Sequence, residues 1–404
     1  MVIEVPLPLG GPLVPALPTT SPHRPRDPVD APRVGFFAGV LDGGGGLERY
    51  ELAAASRLAA RGWTVDCVYH QPGDLLDEWE ATAELHLGEA LDRDTLTQTL
   101  QRSDVVYVHD PARFAAAIAL GRSINRPVVG HLHLPPFYLR AGWRRWVLGR
   151  CHRGIDPMVF GPKTGIDRFI AVSDHTKGRW VRAGLPADRI EVVHNGVDLR
   201  RFRPALPGER GAVRDRLGVA DDVFLIGYVG RLDREKGIEH LVEAVGLLAA
   251  GSSRRVALMV IGAPSRWMGD DGVHYEAALR RLSPTGTLWL GPREDVHELY
   301  RAMDLLVVPS QWHEPFGLVA AEAMASEVPV LGTRRGGLAE VMSGPLDVNL
   351  VGTSSRELAD GIARHLDDPA RGARLGSVGR RTVEQRFDVE RAVAGIEQVL
   401  RGVL

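Results

Sequence analysis

A chain of 404 residues is too long for one ordinary hydrophobic core and divides into two domains. Its apolar content of 44% and charged content of 25% are ordinary globular values, and a net charge of −2 gives no pull toward nucleic acid or an anionic membrane. Its two cysteines, Cys67 and Cys151, show no metal or redox spacing and point to a reducing cytoplasm; no apolar run reaches the roughly 20 residues a bilayer-spanning helix needs.

Residues 1–32 carry proline at positions 6, 8, 12, 15, 18, 22, 25, 28 and 32 and lack the basic start of a signal peptide. They read as a disordered or extended tail. From Arg33 the chain alternates short apolar runs with helical patterns. Strands are predicted at Val34–Ala38, Thr64–Tyr69, Val105–His109, Val128–His131, Arg168–Val172 and Ile190–Val193. A helix over Leu47–Ala60 places Leu47, Tyr50, Ala54 and Leu58 on one stripe. Strands separated by helices imply a parallel sheet.

Four glycines, Gly43–Gly46, separate the first strand from its helix. Three readings stand. Their amides can form an anion-binding nest that touches phosphate or acceptor; they can be a plain flexible turn; or they can begin a dinucleotide site, with Asp66 as the ribose-binding acid. Arg49 at the third-glycine position of a frame starting at Gly44 speaks against the last. His109-Asp110 ends a strand and so points toward a cleft. Between His131 and Pro162, Leu139, Trp143, Trp146 and Val147 share a helical stripe ringed by arginines. That segment reads as a packed surface helix with a basic face, as an acceptor platform, or as a peripheral membrane contact.

A second alternating series begins at Val223–Val229, with strands at Val256–Ile261, Thr287–Leu290, Leu305–Val308, Pro329–Leu331 and Val348–Val351. Helices are predicted at Gly237–Ala250, Tyr275–Leu282, Val296–Met303, Leu318–Ala325 and Leu338–Met342. Two such sheets facing each other form a cleft at the carboxyl ends of their strands. The first strand of the series runs into Gly230-Arg231-Leu232-Asp233-Arg234-Glu235-Lys236-Gly237. Arg231 and Lys236, two fixed cations beside a helix start, suit a diphosphate, with Arg234 between them facing solvent. The bland alternative is a solvated charged loop. Glu314 and Glu322 bracket seven residues, the first acid in a strand-to-helix loop and the second on the helix. Between them Gly317 lets amides approach a ligand at the positive end of a helix. One acid can grip a hydroxylated ring, the amides an anion, and the second acid another ring, which suits a nucleotide-sugar. The C-terminal stretch Arg381–Leu404 reads as helix with Phe387 near a bend.

Taken together, these pieces resemble the retaining glycosyltransferases of family 4. The match rests on Gly43–Gly46, Val172-Ser173, the stretch Ile190–Asp198 with Phe202 and Pro204, Gly230-Arg231 through Lys236-Gly237, the Glu314–Glu322 run, and Arg335-Gly336-Gly337 through Glu340. The resemblance implies an α/β chain of GT-B architecture, two Rossmann-like domains facing across a cleft. The implied divisions are 33–205 for the acceptor side, 206–385 for the donor side, and 386–404 for a helix returning to the first domain. It implies transfer of a hexosyl group from a nucleoside-diphosphate sugar to a hydroxyl, with retention and with no metal or other cofactor.

The same resemblance implies that Arg231 and Lys236 bind the diphosphate, Glu314 the transferred sugar and Glu322 the donor ribose. The amides of Phe316, Gly317 and Leu318 approach the sugar and phosphates, and Gly45, Gly46 and Gly230 complete the donor site. His133 is the implied active-site histidine beside Arg231, Lys236 and Glu314, with His131 its rival. Asp42, His109, Asp110, His131 and Trp143 are the acceptor-side candidates. This chain departs from the family pattern at His194, where proline is usual, and at Ser326-Glu327, where a small residue and glycine are usual. An epimerase or sugar phosphorylase on the same scaffold, or a noncatalytic nucleotide-sugar binder, are the alternative functions. A cytoplasmic location, with peripheral contact to the inner face of the membrane as its variant, completes the expectation; no nucleic-acid partner is expected.

Overall fold

The computed structural model describes residues 31–38, 41, 46–69, 71–87, 93–109, 115–136, 165–251, 254–264 and 268–404. Within them the first half builds a parallel sheet from β1 (Arg33–Phe37), β2 (Thr64–Tyr69), β3 (Glu84–Leu87), β4 (Val105–Val108), β5 (Val128–Leu132), β6 (Arg168–Ala171) and β7 (Ile190–Val192). Their order is β3-β2-β1-β4-β5-β6-β7. Successive residues enter opposite cores: Phe36 and Tyr107 join one cluster, Phe37, Val106 and Val108 the other. That is why these strands read as unbroken apolar runs, since both faces of a parallel sheet are covered. β3 escaped the sequence reading because Glu-Leu-His-Leu is short, half polar and at the sheet edge.

The second half repeats the plan with β8 (Phe224–Val229), β9 (Val256–Ile261), β10 (Leu288–Gly291), β11 (Leu305–Val308), β12 (Val330–Thr333) and β13 (Leu350–Val351), in the order β10-β9-β8-β11-β12-β13. Leu225, Met259 and Leu306 pack on one side of this sheet, and Phe224, Ile226 and Leu258 on the other. The predicted strand at Val348–Val351 shortens to two residues because Gly344–Asn349 winds into a 3-10 helix. The predicted helix Val296–Met303 tightens to 3-10 geometry over Tyr300–Ala302. With the chain folded as two parallel α/β sheets, the architecture is the expected one.

The C-terminal stretch forms two helices, Pro369–Arg386 and Val389–Arg401, broken at Phe387. Val389, Val393, Ile396 and Leu400 make an apolar stripe at helical spacing. All four sit in the core of the first sheet with Val34, Phe36 and Leu58. Phe387 stays in the core of the second sheet, edge-on to Phe316 at 5.3 Å. The returning chain bridges the outgoing one: Val197 N–H donates to the Phe387 carbonyl (2.8 Å) and Val389 N–H to the Val197 carbonyl (3.1 Å). Gly196 permits this crossing, because a Cβ there would overlap the Val389 backbone.

Candidate active site

β8 and β11 are adjacent at the centre of the second sheet, and the strand order runs outward from them in opposite directions. The loops that leave their carboxyl ends, Gly230–Gly237 and Pro309–Gly317, therefore open at the point where parallel sheets bind ligands. Gly237 lets them close-pack: its φ is +68° and a side chain would overlap the Pro309 carbonyl. Across the two loops Lys236 Nζ reaches Glu314 Oε1 at 2.6 Å, and Ser310 Oγ donates to the same oxygen. Glu314 is buried, and burial pulls its carboxyl upward. The Lys236 ammonium, with the hydrogen bonds from Lys236 and Ser310, outweighs that pull and holds it below the usual carboxylate range. A buried acid stays ionised here because its counter-ion is in contact. Arg231 is exposed and pairs with Asp233 at 3.1 Å, while Gly230 takes φ +151°. Arg234 is exposed and lies 5.0 Å from the Tyr275 ring.

Gly317, at φ +103°, begins the Leu318–Ala325 helix without a side-chain cap. Among the described residues no side chain caps this helix start, where the backbone N–H groups carry the positive end of the helix. Phe316 is 2% exposed and its ring belongs to the core, so it offers only main chain to a ligand. Glu322, one turn along, accepts from the Tyr300 hydroxyl at 2.9 Å. Burial pushes the Glu322 carboxyl up to about 7, against the pull of Tyr300 and Arg201. Gly46 approaches this helix from the first half: a Cβ on it would lie 3.1 Å from Leu318 Cδ2.

At the carboxyl edge of the first sheet, His109 follows β4, His131 lies in β5 and His133 follows β5. The three rings form one cluster. His109 Nδ1 is 2.8 Å from His133 Nε2, the Tyr107 hydroxyl is 2.6 Å from His131 Nδ1, and the His131 and His133 rings stack at 3.9 Å. Glu51, from the Gly46–Ala60 helix, brings Oε1 to 3.4 Å from His109 Nδ1. Burial lowers the His133 imidazole to about 3. Burial, with His133 alongside, drives His109 and His131 well below the ordinary range. All three rings are neutral at pH 7, so they act by hydrogen bonding rather than by charge. One nitrogen of each lies within 4.8 Å of the others, a spacing at which a divalent cation could be held. Their direct contact and the ring stack make the cluster a hydrogen-bonded set of imidazoles.

The structure thus gathers His133, His131 and His109 in one place, and Lys236, Glu314 and Gly317 in another, with Gly46 against Leu318. Gly45, Asp42, Asp110 and Trp143 lie outside the described residues. Tyr107, Glu51, Ser310 and Tyr300 were not found from sequence. Each hides in an apolar run or beside a motif, and only the fold turns it toward the site.

Residues 44–201 match the family described as Glycosyltransferase Family 4, and residues 209–382 match Glycosyl transferases group 1. The chain is 36% identical over 226 residues to D-inositol 3-phosphate glycosyltransferase 2 of Catenulispora acidiphila, covering 54% of this chain and 51% of that one. It is 31% identical over 233 residues to alpha-maltose-1-phosphate synthase of Mycolicibacterium smegmatis, covering 55% and 59%. The chain spans about half the length of the curated relatives it matches. Anabaena HepE, solved in complex with UDP and glucose, superposes with a TM-score of 0.76 at 23% identity, over 92% of this chain and 99% of that one.

Proposed function

This chain belongs to the family 4 glycosyltransferases of GT-B fold, and from there we propose that it transfers a sugar from a nucleoside-diphosphate sugar to an acceptor hydroxyl with retention of configuration. The observation that carries the reading is the Lys236–Glu314 pair, which joins the two loops at the centre of the second sheet beside an uncapped helix start. A diphosphate entering there meets Lys236, Arg231 and the first-turn amides of the Leu318 helix. Its arrival releases Glu314 from Lys236, and the freed carboxylate accepts hydrogen bonds from the hydroxyls of the donor sugar. Glu322 takes the ribose.

As the glycosidic bond breaks, negative charge grows on the diphosphate oxygens while the sugar becomes oxocarbenium-like. The two cations and the helix amides are already in place against that charge, so they stabilise the transition state more than the ground state. They supply the electrostatics that a divalent ion supplies elsewhere, and no metal is needed in this reading. The departing phosphate takes the acceptor proton on the same face of the sugar. Glu314 is a sugar-binding group and not a covalent nucleophile, unlike the paired acids of retaining glycosidases. His133, neutral and just past β5 at the carboxyl edge of the first sheet, serves as a hydrogen-bonding group toward sugar or acceptor. The protein acts in the cytoplasm, on its own or against the inner face of the membrane.

A screen of UDP-, GDP-, ADP- and dTDP-sugars by thermal shift, followed by mass spectrometry with pooled hydroxyl acceptors, tests the reading. UDP-sugars come first because the Anabaena HepE structure holds UDP. Mass gain of one hexosyl unit on an acceptor, with release of free nucleoside diphosphate and no loss on adding EDTA, is the expected result. Consumption of donor with no second substrate would point instead to an epimerase.

A further inference from the structure

The two halves also meet along a seam outside the donor and acceptor groups. The Asp174–Ala183 helix of the first half begins at Ser173, whose hydroxyl oxygen accepts from Thr176 N–H (3.0 Å). That hydroxyl donates across the seam to the Pro315 carbonyl at 2.5 Å, and Thr176 Oγ1 donates to the same carbonyl at 3.3 Å. From the second half, the Glu340 carboxylate accepts the backbone N–H of Asp174 (2.9 Å) and of His175 (2.5 Å). A carboxylate of one half therefore caps a helix of the other, at the end where negative charge is favoured. His194, at the position where the resemblance called for proline, sets Nε2 3.5 Å from the same carboxylate. The His175 and His313 rings stack across the seam at 5.2 Å.

What makes this seam more than a contact is the residue it grips. Pro315 follows Glu314 directly. The Glu314 carbonyl is itself held by Gly337 N–H at 2.6 Å. Gly337 has no room for a side chain: a Cβ would stand 3.0 Å from Ser173 Oγ and overlap the Pro315 carbonyl. The main chain of Glu314-Pro315 is thus clamped between the Gly336–Glu340 segment on one side and the first-half helix on the other. Separating the halves would break all four cross-seam hydrogen bonds, two of which land beside the acid.

We propose that Ser173, Thr176 and Glu340 are positioning residues, an interdomain latch that sets the Glu314 carboxylate at the donor sugar only when the two halves are closed. The role of Glu314 rests on the function proposed above; the latch itself is a property of the fold. Such coupling assembles the site on closure, so an open enzyme binds nucleotide without hydrolysing its donor wastefully.

The test uses Ser173→Ala, Thr176→Val and Glu340→Gln in the full chain. Steady-state kinetics with the productive donor and small-angle X-ray scattering with and without UDP are the two readouts. Ser173→Ala and Glu340→Gln are each expected to lower kcat about 10- to 100-fold, as small misplacements of reacting groups do, while the donor KM stays within about threefold. Neither variant should reach the smallest radius of gyration that the wild type reaches. Combining the two should cost little more than the worse single change, since both of their separate contacts serve the same closed docking of the Asp174–Ala183 helix. Wild-type kcat in the folded variants, or a loss of kcat with the wild-type radius retained, overturns the latch. If no nucleoside-diphosphate sugar supports transfer by the wild type, the functional reading fails, while the scattering comparison still decides the latch. Thr176→Val, the mildest change, keeps the test open should either other variant fold poorly.

Discussion

At the scale of single residues, the site is a balance of buried charges. Lys236 and Glu314 neutralise each other at 2.6 Å, so removing the lysine strands an acid with 6% exposure. Lys236→Ala should lower turnover about 10²- to 10³-fold and cost about 2 kcal/mol of stability, less than the roughly 3–5 kcal/mol of a fully buried pair because the lysine keeps some exposure. Turnover measured beside a urea melt separates the two effects; a folded variant with wild-type turnover would remove Lys236 from the donor site. Glu322 runs the other way. Burial raises its carboxyl from 4.5 to about 7, so between those values the folded protein holds a proton that the unfolded chain releases. Its contribution to stability is whole below the unfolded value and is lost as pH rises through 7. Glu322→Gln cannot ionise, so its stability relative to wild type should improve between pH 5 and pH 8 by about 2 kcal/mol. A pH-independent difference in paired urea melts would contradict this. Glu327 shows the same economy of position. Its φ is +60°, in the left-handed region that glycine tolerates best, at the end of the Leu318–Ala325 helix where the family pattern has glycine. Glu327→Gly should stabilise by about 0.5–1 kcal/mol and leave donor binding alone, which calorimetry and a nucleotide titration can check.

At the scale of elements, the last helix packs far from its neighbours in sequence, against the first half as the resemblance implied. Val389–Arg401 is the C-terminal segment of the chain, yet its apolar stripe completes the core beneath the first strand. Ile396→Ala should cost about 3 kcal/mol, as large-to-small changes in cores do. The consequence should be read far away in sequence: hydrogen exchange should quicken in β1 and in the Gly46–Ala60 helix more than in β8 or β11. Uniform protection across both sheets would mean the helix is not an integral part of the first core. Gly196→Ala attacks the same arrangement from the other strand of the crossing, where no Cβ fits against Val389.

For the molecule as a whole, the second sheet places its switch point between β8 and β11, and ligand binding there should be visible as stability. At 100 times its dissociation constant, a nucleoside diphosphate that binds only the folded state adds about 2.7 kcal/mol. Its protection against exchange should concentrate in Gly230–Gly237 and Pro309–Gly317. Protection confined to the loops of the first sheet would reverse the assignment of donor and acceptor sides. Much of this was legible beforehand. Apolar runs buried on both faces announce parallel strands, so most strand positions followed from pattern alone, and Glu314, Glu322, Arg231 and Lys236 stood out because motif spacing survives in one dimension. The edge strand Glu84–Leu87 did not, since half its residues are polar. Nor did the contact between Lys236 and Glu314, the union of His109, His131 and His133 in one cluster, or the grip of Ser173 and Glu340 on opposite halves. These depend on which strands become neighbours and how two sheets close, and such pairings join residues far apart along the chain. Sequence by itself determined most of the elements, the family and the motif residues proposed for the donor site. Only the tertiary structure decided their partners and hence their charges, because burial and proximity, which set those charges, exist only once the chain has folded.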